Sequence, residues 1–213
     1  RADLRIHDNL ALAAACRDAN AQVLALYVAT PQQWATHHMA PRQAAYIATQ
    51  LNALRQALAE KNIPLIFLQV DDFAASVEAI KKVCQQHEVT ELFYNYQYEF
   101  NERQRDVAVE RALTDTVCQG FDDSVILPPG SVMTGNHEMY KVFTPYKNAW
   151  LRRLREHLPE CVRAPAPRNA PAVDNTPVIT LDYPQQPFDS ALFPADENAA
   201  IAQLRKFCQQ SAA

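Results

Sequence analysis

Glycine is nearly missing. The 213-residue chain holds three, Gly120, Gly130 and Gly135, and none falls in its first 119 residues. The glycine-rich turn of dinucleotide-binding folds needs a close backbone approach to a pyrophosphate, and a P-loop needs the same for a triphosphate. Both routes are closed, so nicotinamide dehydrogenases and P-loop hydrolases drop out. Nucleophile signatures are absent too: there is no Gly-x-Ser-x-Gly elbow, and none of Cys16, Cys84, Cys118, Cys161 and Cys208 has an activating context. The five cysteines are odd in number, widely spaced and without a Cys-x-x-Cys, as expected of reduced thiols in a cytoplasmic protein. They do not combine with the six histidines at metal-ligand spacing, so no metal is expected. No apolar run approaches the ~18 residues of a membrane helix, and no signal peptide is visible. A net charge of −4 gives a mildly acidic surface, with nothing global to suggest a nucleic-acid binder.

What is present is alternation. An alanine-rich helix over 10–18 follows Asp8 or Asn9 as cap. A buried strand over 22–28 leads to a loop over 30–40 carrying Trp34, His37 and His38. Pro41 opens a helix to about Lys61. A strand over 64–70, a helix over 74–87, a strand over 92–96 and a helix over 102–119 follow. Gly120 suits the C-terminal cap of that last helix, and residues 125–127 read as a short final strand. Strand and helix in turn, with short connections, specify an α/β fold with a doubly wound parallel sheet. Asp71-Asp72 and Asp122-Asp123 read as solvated turn residues.

The first helix has no strand before it, although the first strand of such sheets stands in the middle. About 5 to 8 residues are expected upstream of Arg1. The start without methionine and the end at Ser211-Ala212-Ala213 both read as cuts in a longer protein. Pro145 starts a helix to Leu158 with Trp150, Leu151 and Leu154 along one stripe; Lys147, Arg152, Arg153 and Arg155 form a solvated face. Residues 159–194 hold eight of the fourteen prolines, the mark of an extended connector. Its Val178, Ile179, Leu181, Tyr183, Phe188, Leu192 and Phe193 favour wrapping over a domain. A helix from Asp196, with Ile201, Leu204 and Phe207 on one face, begins a second, helical domain. The division is 1–127, an α/β domain; 128–195, a linker with one helix; and 196–213, the start of the helical domain.

The stretch ELFYNYQYEFNERQRD over 91–106 organises the whole. An aromatic strand gives way to a charged helix, and in open parallel sheets ligands bind at such carboxyl ends. Asn101 suits the helix cap, and Glu102 suits its first turn, where a carboxylate meets the positive end of the dipole. Capping alone explains both; so does a ligand site.

Three separated segments carry a resemblance: RADLRIHDN over 1–9, YNYQYEFNE over 94–102 and MYKVFTPY over 139–146. In order and spacing the chain resembles the photolyase/cryptochrome family, nearest the bacterial folate-type deoxyribodipyrimidine photolyases. The resemblance implies an N-terminal light-harvesting domain that binds 5,10-methenyltetrahydrofolate in a cleft facing a helical domain. That domain, beyond this chain, holds reduced FAD and the cyclobutane pyrimidine dimer of UV-damaged DNA. Folate-binding residues carried over by motif are Asn101, Glu102 and His37; no catalytic residue falls in this chain. A carboxylate can accept a pterin ring N–H and its exocyclic amine together, which suits Glu102, with Asn101 at a neighbouring polar edge. The cluster Arg1, Asp3, Arg5, Asp8 reads as a structural ion-pair and capping network. A monomeric, cytoplasmic DNA-repair lyase is expected. The alternatives are a cryptochrome-type photoreceptor and an unrelated nucleotide-binding α/β module.

Overall fold

The computed structural model describes residues 3–156, 158–159, 161–171 and 173–210. Arg1, the first member of the expected network, and Ser211-Ala212-Ala213 lie outside them. Asn9 caps α1 (Leu10–Ala15), its Oδ1 accepting the Leu12 N–H at 3.0 Å. Then come β1 (Ala25–Ala29), α2 (Pro31–Thr36), α3 (Pro41–Ala59), β2 (Leu65–Gln69), α4 (Phe73–Gln86), β3 (Glu91–Asn95), α5 (Phe100–Ala112) and β4 (Val117–Phe121). Two helices follow, α6 (Phe143–Glu156) and α7 (Glu197–Gln210). Prolines at the first positions of α2 and α3 supply a preset φ and no surplus N–H. Asp72 caps α4 by accepting the Ala75 N–H at 2.8 Å, so it is a helix cap rather than a free turn residue.

Four expectations are corrected here. The helix expected over 102–119 ends at Ala112, and residues 117–121 form β4, paired in parallel with β3 in the register Tyr94 to Gly120. Gly120 is therefore a strand residue and not a helix cap. Leu113 leaves helical geometry at φ −101°, ψ 84°. Thr116 and Val117 are β-prone, and pairing with β3 satisfies a backbone that a longer helix would have satisfied locally. Gly120 lies under the Tyr96 ring: a Cβ there would stand 2.3 Å from Cζ. Residues 125–127 form no strand. The expected loop over 30–40 contains α2, signalled by Thr30-Pro31.

The strands form two parallel pairs, β1–β2 and β3–β4. Helices cover both faces, and the pleat of β3 shows how. Asn95 faces α1, where its Oδ1 accepts the Ala11 N–H at 3.1 Å, while Tyr94 faces α5 and Glu110. Between the pairs lies a slot of about 780 Å³, walled by β1 and β3 and roofed by α1 on one side and by α4 with α5 on the other. It occupies the place a central strand takes in a doubly wound sheet. The core is divided accordingly. Leu51, Leu58, Ile63 and Leu65 lead one cluster, and Cys84, Val109 and Leu113 the other.

The proline-rich segment wraps as expected. Ile179 and Leu181 are buried in the first cluster. Asn52 exchanges two 2.9 Å hydrogen bonds with the backbone of Ile179. The segment also covers the outer edge of β2: Thr176 N–H donates to Leu65 O at 3.1 Å, and Thr176 Oγ1 accepts from Phe67 N–H at 3.0 Å. Tyr183 meets Trp34 edge to face and Phe188 meets Tyr46 likewise. Val178, Leu192 and Phe193 stay exposed. On α6, Trp150, Leu151 and Leu154 are half-buried and Leu158 beyond it is exposed; on α7, Leu204 and Phe207 are exposed.

Leu51 is wholly buried at the centre of the first cluster. Leu51→Ala is expected to cost about 3 kcal/mol, from lost transfer energy plus a cavity, read as a lower urea midpoint. A loss below ~1 kcal/mol would show that the cluster carries little of the stability.

Candidate functional site

The carboxyl ends of the strands open onto a rim formed by α2, the start of α4 and the start of α5. Gln33 on α2 accepts the Phe73 N–H at 3.0 Å, and Gln33 N–H donates to Asp71 O at 3.3 Å. The Arg105 guanidinium on α5 lies over the Phe73 ring, 4.9 Å from its centroid. Phe73 thus ties α2 to α5. Arg105 is fixed in turn by Asp106 at 2.9 Å and by Gln97 Oε1 at 3.2 Å. Gln33 and Phe73 did not stand out in the sequence, because each acts through a partner distant along the chain; Gln97 and Arg105 lie in the organising stretch, but the Phe73 ring that Arg105 covers is far along the chain.

His37 is the C-cap of α2, four residues past Gln33, and is exposed. Glu102 is half-buried in the first turn of α5, three residues before Arg105, and so on the same face. Asn101 precedes it and is exposed. Its expected capping role is corrected: Glu99 holds the cap position, without a side-chain cap bond, because α5 begins one residue earlier, at Phe100. Among the described residues, no hydrogen bond or ion pair engages the side chains of His37, Asn101 or Glu102, and none joins His37 to the other two. With its first turn uncapped, α5 presents open N–H groups beside an unengaged amide and carboxylate. His37 and Asn101 stand on open surface and Glu102 is half-buried; neither the slot nor a 690 Å³ depression bordered by His38 and Tyr183 includes them.

Around this rim the polar residues are structural. Arg5 pairs with Asp123 at 2.5 Å and donates to Asp8 O, while Asp123 Oδ1 accepts the Leu10 N–H at 3.1 Å. The Asp123 side chain is only 4% exposed, which corrects the expectation of a solvated turn. Asn95 Nδ2 donates to Asp3 at 2.6 Å and to Asn9 at 2.9 Å. Asp3, Arg5 and Asp8 are therefore structural, as expected, but among the described residues the ion pair joins Arg5 to Asp123, and Asp3 and Asp8 bond Asn95 and the Val162 N–H instead. The tyrosines of 94–98 pack and anchor: Tyr94 donates to Glu110 and meets Tyr96 edge to face, and Tyr98 donates to Asp122 at 2.7 Å. Burial raises the Tyr94 hydroxyl pKa, and the bond to the Glu110 carboxylate raises it further. Burial and then Asp122 do the same for Tyr98. Tyr27, stacked on Phe67, is pushed up to about 12 by burial and then by the charge of Asp3.

A further anchor that the sequence did not reveal is Glu197, at the start of α7. Its carboxylate accepts the Ile6 N–H and the His7 N–H, each at 3.0 Å, and lies 3.1 Å from His7 Nδ1. It fastens α7 to the loop ahead of α1.

An α/β layer with helices on both faces, two parallel strand pairs and a polar rim at the strand ends defines a doubly wound domain without a phosphate cradle. The chain belongs to the DNA photolyase family, whose pattern matches residues 1–166. It is 69% identical over its whole length to the deoxyribodipyrimidine photo-lyase of Escherichia coli and 68% identical to that of Salmonella typhimurium. The Vibrio cholerae photo-lyase is 40% identical over 99% of the chain. The chain spans about 45% of the length of each of these relatives. Its fold matches a Synechocystis cryptochrome at a TM-score of 0.81 and 20% identity, covering 97% of this chain and 44% of the other. A class III photolyase from Agrobacterium tumefaciens matches at 0.70 and 18% identity, with 97% and 43% covered.

Two outcomes follow from this geometry. Because folding raises the Tyr27 pKa from 10 to about 12, its stabilisation is complete below pH 10 and is lost as pH rises toward 12. Tyr27→Phe should flatten the fall of the urea midpoint in that window, at up to ~1.4 kcal/mol per pH unit; an unchanged slope would refute the assignment. Glu197→Ala leaves two backbone donors without their acceptor and should cost about 1–3 kcal/mol, seen as faster hydrogen exchange at Ile6 and His7. Unaltered exchange there would show that the clasp contributes nothing.

Proposed function

We propose that this chain is the light-harvesting part of a DNA photolyase that repairs cyclobutane pyrimidine dimers, with folate bound on the rim between α2 and the first turn of α5. The observation that carries this reading is 69% identity along the entire chain to a deoxyribodipyrimidine photo-lyase. A cryptochrome shares the fold, and at 20% identity the likeness speaks for fold alone. No glycine falls in the first 119 residues, so no glycine-bearing loop there supports a nucleotide-phosphate module.

The rim fits the pterin edge of folate in kind. A flat heterocycle with a ring N–H beside an exocyclic amine needs a paired acceptor, and the Glu102 carboxylate is unengaged and half-buried. Asn101 offers both donor and acceptor, and the open N–H groups of α5 suit a ring oxygen. His37 would border the same ligand from α2. Partial burial of Glu102 strengthens its hydrogen bonds relative to open water. Bound folate supplies absorption of near-ultraviolet and blue light, and FAD in its reduced state supplies the electron that opens the dimer. This chain's residues bind and orient the first group; no residue here is assigned to the flavin. The second wall of the folate cleft comes from a helical domain beginning near residue 196, which also holds FAD and the damaged DNA. In this division residues 1–127 are the antenna domain and 128–195 the linker. The whole protein acts as a monomer.

In the full-length protein, Glu102→Ala should weaken folate retention by about tenfold to a hundredfold, the value of a charged hydrogen bond. The near-ultraviolet folate band at fixed folate concentration reports it, while repair driven through the flavin alone continues. Equal loss of folate and of flavin-driven repair would assign Glu102 to folding, and full retention would remove it from the site.

A further inference from the structure

His37 and Glu102 belong to two helices that meet only through the turn between β2 and α4. α2 is six residues long, and its N-cap Thr30 makes no side-chain cap bond. A helix so short is marginal in water, so α2 depends on what holds it. Gln33 is that hold. Its N–H donates to Asp71 O at 3.3 Å and its side-chain oxygen accepts the Phe73 N–H at 3.0 Å, so both ends of one residue grip the turn. His37 lies four residues on, along the same face.

α5 is held from the same place. The Phe73 ring lies under the Arg105 guanidinium, with 4.9 Å from Cζ to its centroid. The Arg105 side chain is only 11% exposed, so the attraction acts where water is largely excluded and a cation–π pair is strongest. Asp106 Oδ1 accepts from Arg105 at 2.9 and 3.1 Å and Gln97 Oε1 at 3.2 Å, which stops the guanidinium from swinging after a displaced ring. Glu102 lies three residues before Arg105, toward the open end of α5. Phe73 thus serves α2 with its backbone and α5 with its ring. His37 and Glu102 stand about one turn beyond these two legs, ~6 Å and ~4.5 Å along the helices from Gln33 and Arg105.

A site built on two separate helices needs a fixed gap, because a binding group serves only when held within about 0.5 Å of its productive place. We propose that Phe73 is a positioning residue for folate: through Gln33 on one side and Arg105 on the other, it sets the spacing of His37 and Glu102 without itself contacting the ligand. This inference rests on the folate reading above. Loss of either leg frees one helix, and part of the folate binding free energy then goes into re-ordering it. The effect cannot exceed what the leg itself contributes, which sets it at about threefold to tenfold in affinity.

The test uses the full-length protein, stripped of folate and titrated with 5,10-methenyltetrahydrofolate while the near-ultraviolet band is followed. Phe73→Leu keeps bulk and removes the ring, Gln33→Leu keeps bulk and removes the acceptor, and Phe73→Tyr keeps the ring. The first two should each weaken folate binding by about threefold to tenfold, and Phe73→Tyr should bind as the unaltered protein does. A coupling is expected that a merely structural role would not produce. With Glu102→Ala in place, Phe73→Leu should add almost nothing, since its leg serves Glu102, whereas Gln33→Leu should still weaken binding, since its leg serves His37. In the folate-free protein, amide exchange should quicken at Arg103 with Phe73→Leu and at His37 with Gln33→Leu. Unchanged affinity in both variants, a loss that Phe73→Tyr shares, or an equal loss from Phe73→Leu with and without Glu102 would overturn the proposal. If Glu102→Ala alone left folate binding untouched, the folate reading itself would fall, and the positioning role with it.

Discussion

A strand edge that is buried has to find a backbone or a side chain that imitates one, and this constraint shapes the molecule. β2 meets it with the proline-rich segment, which lends Thr176 and Asn175 to the outer edge of the pair. Asn95 meets it at the end of β3 by answering α1, Asp3 and Asn9 at once.

From that frame the rim acquires its character. Strands without glycine at their ends cannot bring backbone up to a phosphate, so recognition falls to side chains on the helices that follow. Phe73 is the joint, holding α2 through Gln33 and α5 through Arg105. Once those helices are fixed, an amide and a carboxylate at the uncapped start of α5 stand without a hydrogen-bond or ion-pair partner among the described residues. Such a surface suits a flat ligand with a polar, uncharged edge and a second wall supplied from the other side. Glu197, clasping the loop before α1, fastens α7 to the same body.

Most helices were legible because their signals are local. Asn9, Pro41 and Asp72 mark starts by cap chemistry or preset φ, and apolar spacing marks the buried face of α3. β4 was not legible. Val117 to Phe121 is short and carries a glycine, and only its ladder with β3 and the Tyr96 ring over Gly120 hold it extended. The Asn101 cap failed by one residue, a shift that local preference cannot resolve because Glu99 and Asn101 compete for one position. Its consequence is local: an amide expected to cap the helix stands one residue inside it. Asp123 was misjudged for a related reason, since its partners Arg5 and Leu10 lie more than a hundred residues away.

The sequence by itself determined the class of fold, the closed route to phosphate binding, the wrapping of the proline-rich segment and the place along the chain where polar groups gather. These follow from periodicity, composition and the special geometry of glycine and proline, all short-range properties. Only the tertiary structure decided that the strands stand as two pairs around a strand-sized slot, that Phe73 brings α2 and α5 to one rim, and that Glu197 locks α7. Each depends on contacts between residues far apart in the chain, whose energies exist only after loop closure has brought them together.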